Sequence, residues 1–220
     1  MSETSPPGSR PQRADARENL QQILQAAQAV FAERGYEVSI EEVARRSGLG
    51  MGTIYRHFPN KRSLVERVAT DSMKKTSAEV ERATVEETDT WAAFTRVMRY
   101  MARVGSSQLV PVSRRRATES GPELIAARTA LLADLDALVA RAQEVEVLRK
   151  DVSAFDLVLM MVSLPPGIPD GEADGTPADL PGRQLSVLLD GLRAPGAETL
   201  PEPASTRRDI DVFFRTRFGL

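Results

Sequence analysis

The chain has 220 residues, enough for one sizeable core or two smaller ones, and its 41% hydrophobic and 27% charged content is ordinary for a globular protein. It has no cysteine and a single histidine, which excludes disulfide frameworks, thiolate metal sites and His-rich metal centres. The net charge of −2 hides an asymmetry: residues 1–75 carry 12 basic and 9 acidic groups and the remainder 17 and 22, so the N-terminal end suits a polyanion and the rest repels one.

Residues 1–13 are rich in proline, serine and glycine and lack the apolar stretch of a signal peptide. They read as a disordered arm bearing Arg10 and Arg13, and a cytoplasmic location is expected. From Asp15 a helix is predicted, with Leu20, Ile23, Leu24, Ala27, Val30 and Phe31 on one face and Gly35 as its stop. Ser39 and Glu42 have the spacing of a capping box, opening a short helix with Ile40, Val43 and Ala44 inward. "SGLG" (47–50) breaks that helix and "MGTIYRHF" (51–58) starts another. Pro59-Asn60 ends it, and Lys61 opens a longer helix bearing Leu64, Val65 and Val68.

Beyond Lys75 the pattern changes. Asp89 or Thr90 caps a helix with Trp91, Phe94, Met98, Met101 and Val104 on one stripe. Residues 106–122 read as a loop or broken helix, and a long helix follows over about 122–146 with Leu124, Leu131, Leu135, Leu138 and Ala142 inward. The stretch 153–164 is apolar nearly all round and reads as a buried core helix. Its apolar run is too short to cross a bilayer and is interrupted by Asp156 and Ser163, so no membrane partner is expected. Residues 165–182, dense in proline and glycine, read as a mobile loop. A further helix carries Leu185, Leu188, Leu189 and Leu192 on one face, and a last one starts near Ser205 with Ile210, Phe213, Phe214 and Phe218 aligned. No alternating strand pattern of useful length occurs, so the fold class is all-α.

Two short helices joined by a glycine-containing turn and preceded by a longer helix describe a helix-turn-helix. With about 100° per residue, Met51, Ile54 and Phe58 fall on one side of the second helix. Gly52, Thr53 and Arg56 fall opposite, flanked by Tyr55 and His57. That outer face offers hydrogen-bond donors and almost no acid, which suits phosphates and base edges. Gly50 and Gly52 leave room for the backbone to approach a nucleic acid closely.

The ordered set Phe31-x-x-x-Gly35-Tyr36, Ser39, Val43-Ala44, Gly48-Leu49, Gly52-Thr53-Ile54-Tyr55, His57-Phe58, Lys61 and Leu64 resembles the TetR family of bacterial transcriptional regulators, strongly over about residues 20–68. The resemblance implies an N-terminal three-helix helix-turn-helix domain (14–75) and a larger C-terminal helical domain for ligand binding and dimerisation (76–220). It implies phosphate contacts for Thr53, Tyr55 and Lys61, within a DNA-binding set of Ser39, Gly50, Met51, Gly52, Thr53, Tyr55, Arg56, His57 and Lys61. A polar pair usual before the Gly-Thr is replaced here by Gly50-Met51, which leaves Arg56 as the base reader; Glu41 would repel a phosphate and is given no contact. Arg10, Arg13 and Arg17 are candidates for a phosphate track or a minor groove.

The same resemblance implies a homodimer on a palindromic double-stranded operator, a repressor released by a small-molecule effector, and no cofactor. Trp91, Phe94, Met98, Leu131, Phe155 and Met161 are the candidate ligand-binding residues, since methionine and aromatic groups suit an adaptable apolar pocket. Leu185, Leu188, Leu189 and Leu192 are the candidate dimer interface. The competing reading is a helical protein-interaction adaptor without DNA binding. An enzyme is disfavoured because Gly48-x-Gly50-x-Gly52 follows a helix rather than a strand and lacks nucleotide-loop spacing.

Overall fold

The computed structural model describes residues 10–34, 38–104, 121–164, 180–194, 198–200, 204–206, 208, 209 and 212. Eight helices are found among them: α1 (Arg10–Arg34), α2 (Ile40–Ser47), α3 (Met51–His57), α4 (Lys61–Glu86), α5 (Thr90–Val104), α6 (Pro122–Glu144), α7 (Ala154–Ser163) and α8 (Leu180–Leu192). No strand occurs among the described residues, whose only β-type pairing is a single antiparallel bridge between Leu148 and Arg193. The fold is all-α, and none of these helices is long and apolar enough to cross a membrane.

The chain forms two compact units, Met1–Val68 and Ala69–Leu220, divided within α4. In the first unit Ile23, Val30, Phe31, Val43, Ile54, Phe58, Leu64 and Val68 form one buried cluster, and α1 packs against α2 and α3. The inward stripes of α1 and α2 are those the periodicity predicts. The second unit has its own core, in which α5 lies against α6, α7 and α8 and α6 lies against α7.

The structure moves several expected boundaries. α1 is helical from Arg10, so residues 10–13 belong to it rather than to a disordered arm. Pro11 suits a first helical turn, and the alanine, arginine and glutamine that follow are strong helix formers. Likewise α8 begins at Leu180, within the stretch expected as loop. The rest of that stretch (165–179), the expected stop Gly35 with Tyr36, most of 106–122, and Ile210, Phe213, Phe214 and Phe218 lie outside the described residues.

The capping box expected at Ser39 does not form. Ser39 occupies the N-cap in extended conformation without a side-chain cap bond. The Glu42 carboxylate is taken by Arg45 and by Arg34 at 3.0 Å, charge-assisted pairs that outcompete a backbone amide. A capping box does form at Ser153-x-x-Asp156, where the Ser153 amide donates to Asp156 at 2.7 Å and the Asp156 amide to Ser153 Oγ at 3.3 Å. Nor is α7 buried all round. Ala154, Leu157 and Met161 point into the core, whereas Phe155, Val158, Leu159 and Met160 are half-buried.

Candidate nucleic-acid interface

The turn between α2 and α3 is built by its glycines. Gly48 closes α2 in the left-handed region at φ 71°, a conformation any side chain would strain. Ser47 Oγ donates to the Ala44 carbonyl at 3.0 Å and accepts from the Leu49 amide at 3.4 Å. Gly50 then caps α3, its carbonyl accepting from Thr53 at 2.9 Å and Ile54 at 3.2 Å. A Cβ added at Gly50 or Gly52 would meet nothing, so both glycines leave open space in front of the helix.

α3 has seven residues, too few to persist on its own hydrogen bonds, so its inner face must hold it. Ile54 is fully buried, Phe58 nearly so, and Met51 packs against the same cluster. This fixes the outer face by geometry: Gly52, Tyr55 and Arg56 are exposed, Thr53 and His57 half-exposed. Tyr55 is 47% exposed, unusual for a large aromatic residue and consistent with a surface that meets a partner. The His57 ring lies 6.4 Å from that of Phe58, tilted by 41°.

Lys61 opens α4 just beyond this face. Asn60, which the sequence reading placed only as a helix end, is the N-cap that fixes it. Its side-chain oxygen accepts from the Ser63 amide at 2.9 Å, and its carbonyl from Ser63 Oγ at 2.8 Å. The signal was present as Asn-x-x-Ser ahead of an apolar run.

Charge pairing separates the arginines of this unit. Arg34 and Arg45 are held by Glu42, and Arg46 by Glu33 at 2.8 Å. Arg56 makes no salt bridge among the described residues, so its guanidinium keeps all its donors for an outside acceptor. Glu41 is exposed at the start of α2. Hydrogen bonds from its own backbone amide and from Ser39 hold its carboxyl below the usual range, so it stays anionic. Ser39 itself is exposed at that end of α2, while Met51 to His57 share one short helix capped by Gly50. Arg17 is exposed on α1; the side chains of Arg10 and Arg13 lie outside the described residues.

In the second unit Phe94, Met98, Leu131 and Met161 are buried in one cluster, with Trp91 packed at its margin. Trp91 stacks on Phe94 with ring centroids 5.4 Å apart and carries the Arg193 guanidinium 4.8 Å above its ring. Phe155 is not part of that cluster. It stands half-buried on α7.

The leucine stripe of α8 also needs correction as an interface. Leu185, Leu189 and Leu192 are 3–5% exposed and fill the chain's own core, and only Leu188 of the four is half-exposed. A stripe with this spacing fits a core as well as an interface, and packing against α5 decides for the core. The outward face of α8 carries Val187, which is 68% exposed, and Gly191, beyond which a Cβ would meet nothing.

Comparison with known proteins gives these features a family. Residues 23–68 match the sequence profile described as bacterial regulatory proteins, tetR family. An HTH-type transcriptional regulator from Staphylococcus aureus (strain USA300) is 47% identical over 53 residues, 24% of this chain; that match spans 29% of the regulator's own length. Two crystal structures extend the likeness to both units. The TetR transcription regulatory protein from Mycobacterium vanbaalenii is 31% identical, with 83% of this chain and 99% of that one covered at a TM-score of 0.56. The TetR transcriptional regulator SCO0520 from Streptomyces coelicolor is 25% identical, with 79% and 97% covered at 0.55. The chain therefore belongs to the TetR family of bacterial transcriptional regulators, with the family's helix-turn-helix in its N-terminal unit.

Proposed function

We propose that the chain is a homodimeric repressor that binds a palindromic DNA operator through α3 and leaves it when a small molecule binds the second unit. The observation that carries the reading is the outer face of α3. There an exposed Tyr55 and an Arg56 without an ion pair among the described residues stand beside Thr53 and ahead of Lys61, on a helix locked from behind by Ile54 and Phe58. Thr53, Tyr55 and Lys61 serve as phosphate contacts, and Arg56 reads a base edge in the major groove. Two copies set their α3 helices about 34–36 Å apart, one turn of duplex.

The second copy docks on outward apolar groups: Val187 and Leu188 on α8, Phe155 and Leu159 on α7. This replaces the four-leucine interface, three members of which are spent inside the chain. The effector is an apolar molecule taken up among Trp91, Phe94, Met98, Leu131 and Met161. To release the operator it must favour the non-binding spacing by about 1–3 kcal/mol of coupling. The chain is assigned to the cytoplasm, where its operator is.

Binding titrations on a selected operator and on a scrambled duplex test the roles. Tyr55→Phe and Lys61→Ala should weaken both duplexes alike, and Lys61→Ala should lower the salt dependence by about one ion. Arg56→Ala should cost about 1–3 kcal/mol on the operator alone and relax preference at one position in each half-site. Equal losses for the three variants on both duplexes overturn the assignment of roles. A chain that ignores DNA but captures a protein partner is the adaptor instead.

A further inference from the structure

The segment beyond α8 is tied to the turn that joins α6 to α7 by bonds that span over forty residues of sequence. The Leu200 amide donates to Asp151 Oδ2 at 2.8 Å. Arg149, paired with that same carboxylate at 2.8 Å, donates to the carbonyls of Glu198 and of Gly191, the latter at 3.2 Å near the end of α8. Further on, the Ser205 amide donates to Asp156 Oδ1 at 3.1 Å, and the Ser205 carbonyl accepts from Ser153 Oγ at 2.7 Å. Asp156 thus caps α7 with one oxygen and holds the later segment with the other. Two backbone bonds reinforce the join: the Arg149 amide to the Leu192 carbonyl and the Ala194 amide to the Val147 carbonyl, both 3.1 Å.

Both carboxylates are anionic at neutral pH for stated reasons. Pairing with Arg149, then the Leu200 amide, holds Asp151 far below the usual carboxylate range. Partial burial pushes Asp156 up, but the hydrogen bonds from Ser205 and Ser153 outweigh it and leave it lowered. An anionic acceptor facing a backbone amide makes a stronger bond than a neutral pair does.

We infer that residues 198–200 and 204–206 act as a strap, clasped by Asp151 and Asp156, that locks the end of α8 to the start of α7 and so holds in place the helix faces through which two copies meet. The consequence for assembly rests on the homodimer reading above; the clasp itself does not. Side-chain acceptors, rather than strand pairing, carry most of the strap. Its register is therefore set by the two aspartates, a specificity that a merely adhering tail would lack.

Hydrogen exchange and sedimentation velocity on the full chain and on Asp151→Ala test it together. In the unsubstituted chain the Leu200 and Ser205 amides should be protected. In Asp151→Ala, exchange over 147–157, 198–200 and 204–206 should rise about tenfold or more, as expected for loss of a charged hydrogen-bond acceptor, while α1 to α3 stay unchanged. Dimer dissociation should become about tenfold easier over the same comparison. Free-chain exchange at Leu200 and Ser205 in the unsubstituted protein overturns the strap, as does an Asp151→Ala chain with unaltered exchange over 147–157. An unsubstituted chain that is monomeric at every concentration removes the dimer reading, and the exchange data still decide the clasp. Ser205→Pro, which deletes one donor without touching a carboxylate, should reproduce the exchange change over 153–157.

Discussion

Ile54→Ala is expected to abolish DNA binding without touching a single group on the outer face of α3. Ile54 is wholly buried among Phe31, Val43, Phe58 and Leu64, and truncating such a residue costs about 2–5 kcal/mol of transfer and cavity energy. A seven-residue helix has no reserve against that loss, because nearly all its order comes from this contact. Urea denaturation should show the first unit melting earlier, and operator affinity should fall with it. Ile54→Val, at about 0.5–1.5 kcal/mol, should keep most binding. If Ile54→Ala binds operator normally, α3 is not held from its inner face and the exposure pattern above is not the reason for its role.

The second large effect lies in the other unit. Glu79 is buried to 7% exposure on α4 and accepts from Arg82 at 3.1 Å and from Arg96 of α5 at 2.9 Å. Arg96 also holds Glu86 at 2.8 Å and Glu87 at 3.1 Å. Arg96→Leu leaves a buried carboxylate with one partner in place of two and takes Arg96 from Glu86 and Glu87, and should lower the melting temperature of the second unit. Burial pushes Glu79 up, but Arg82 and Arg96 outweigh it and hold it below its ordinary value of 4.5. Its contribution is therefore complete above that value and is lost as pH falls through the lower folded value. In Arg96→Leu the Glu79 carboxyl titrates higher, closer to its unfolded value, so its pH-dependent contribution shrinks and thermal melts should show a shallower loss of stability below pH 4.5 than in the unsubstituted chain. An unchanged acid limb would remove Arg96 from the account.

Much of the first unit was legible because its signals are local. The glycines of the turn, the inward Met51, Ile54 and Phe58, and the donor-rich opposite face follow from residues 48–58 and the pitch of a helix. What failed there depended on competition for one carboxylate. Ser39-x-x-Glu42 has the spacing of a capping box, but Arg45 of the same helix and Arg34 of α1 pair with Glu42 instead. The real box, at Ser153 and Asp156, was hidden inside a stretch whose apolarity drew attention to burial.

The second unit was less legible for a related reason. Leu185, Leu189 and Leu192 repeat at the spacing of any helical stripe, and whether such a stripe meets its own chain or a second copy is a property of tertiary packing. Phe155 was grouped with the core aromatics by residue type, although on α7 it stands half-buried. The clasp of Arg149, Asp151 and Asp156 joins residues about fifty positions apart through backbone atoms, which carry no sequence signature at all.

The claim on which the rest depends is that the outer face of α3 grips a duplex. Fluorescence anisotropy of the full chain with a labelled random-sequence duplex, titrated with salt, tests it most directly. The account predicts binding in dilute buffer that weakens steeply as salt rises, and a chain carrying Tyr55→Ala, Arg56→Ala and Lys61→Ala that melts normally but has lost most of that affinity. No binding at low salt, or equal binding by the triple variant, would contradict it.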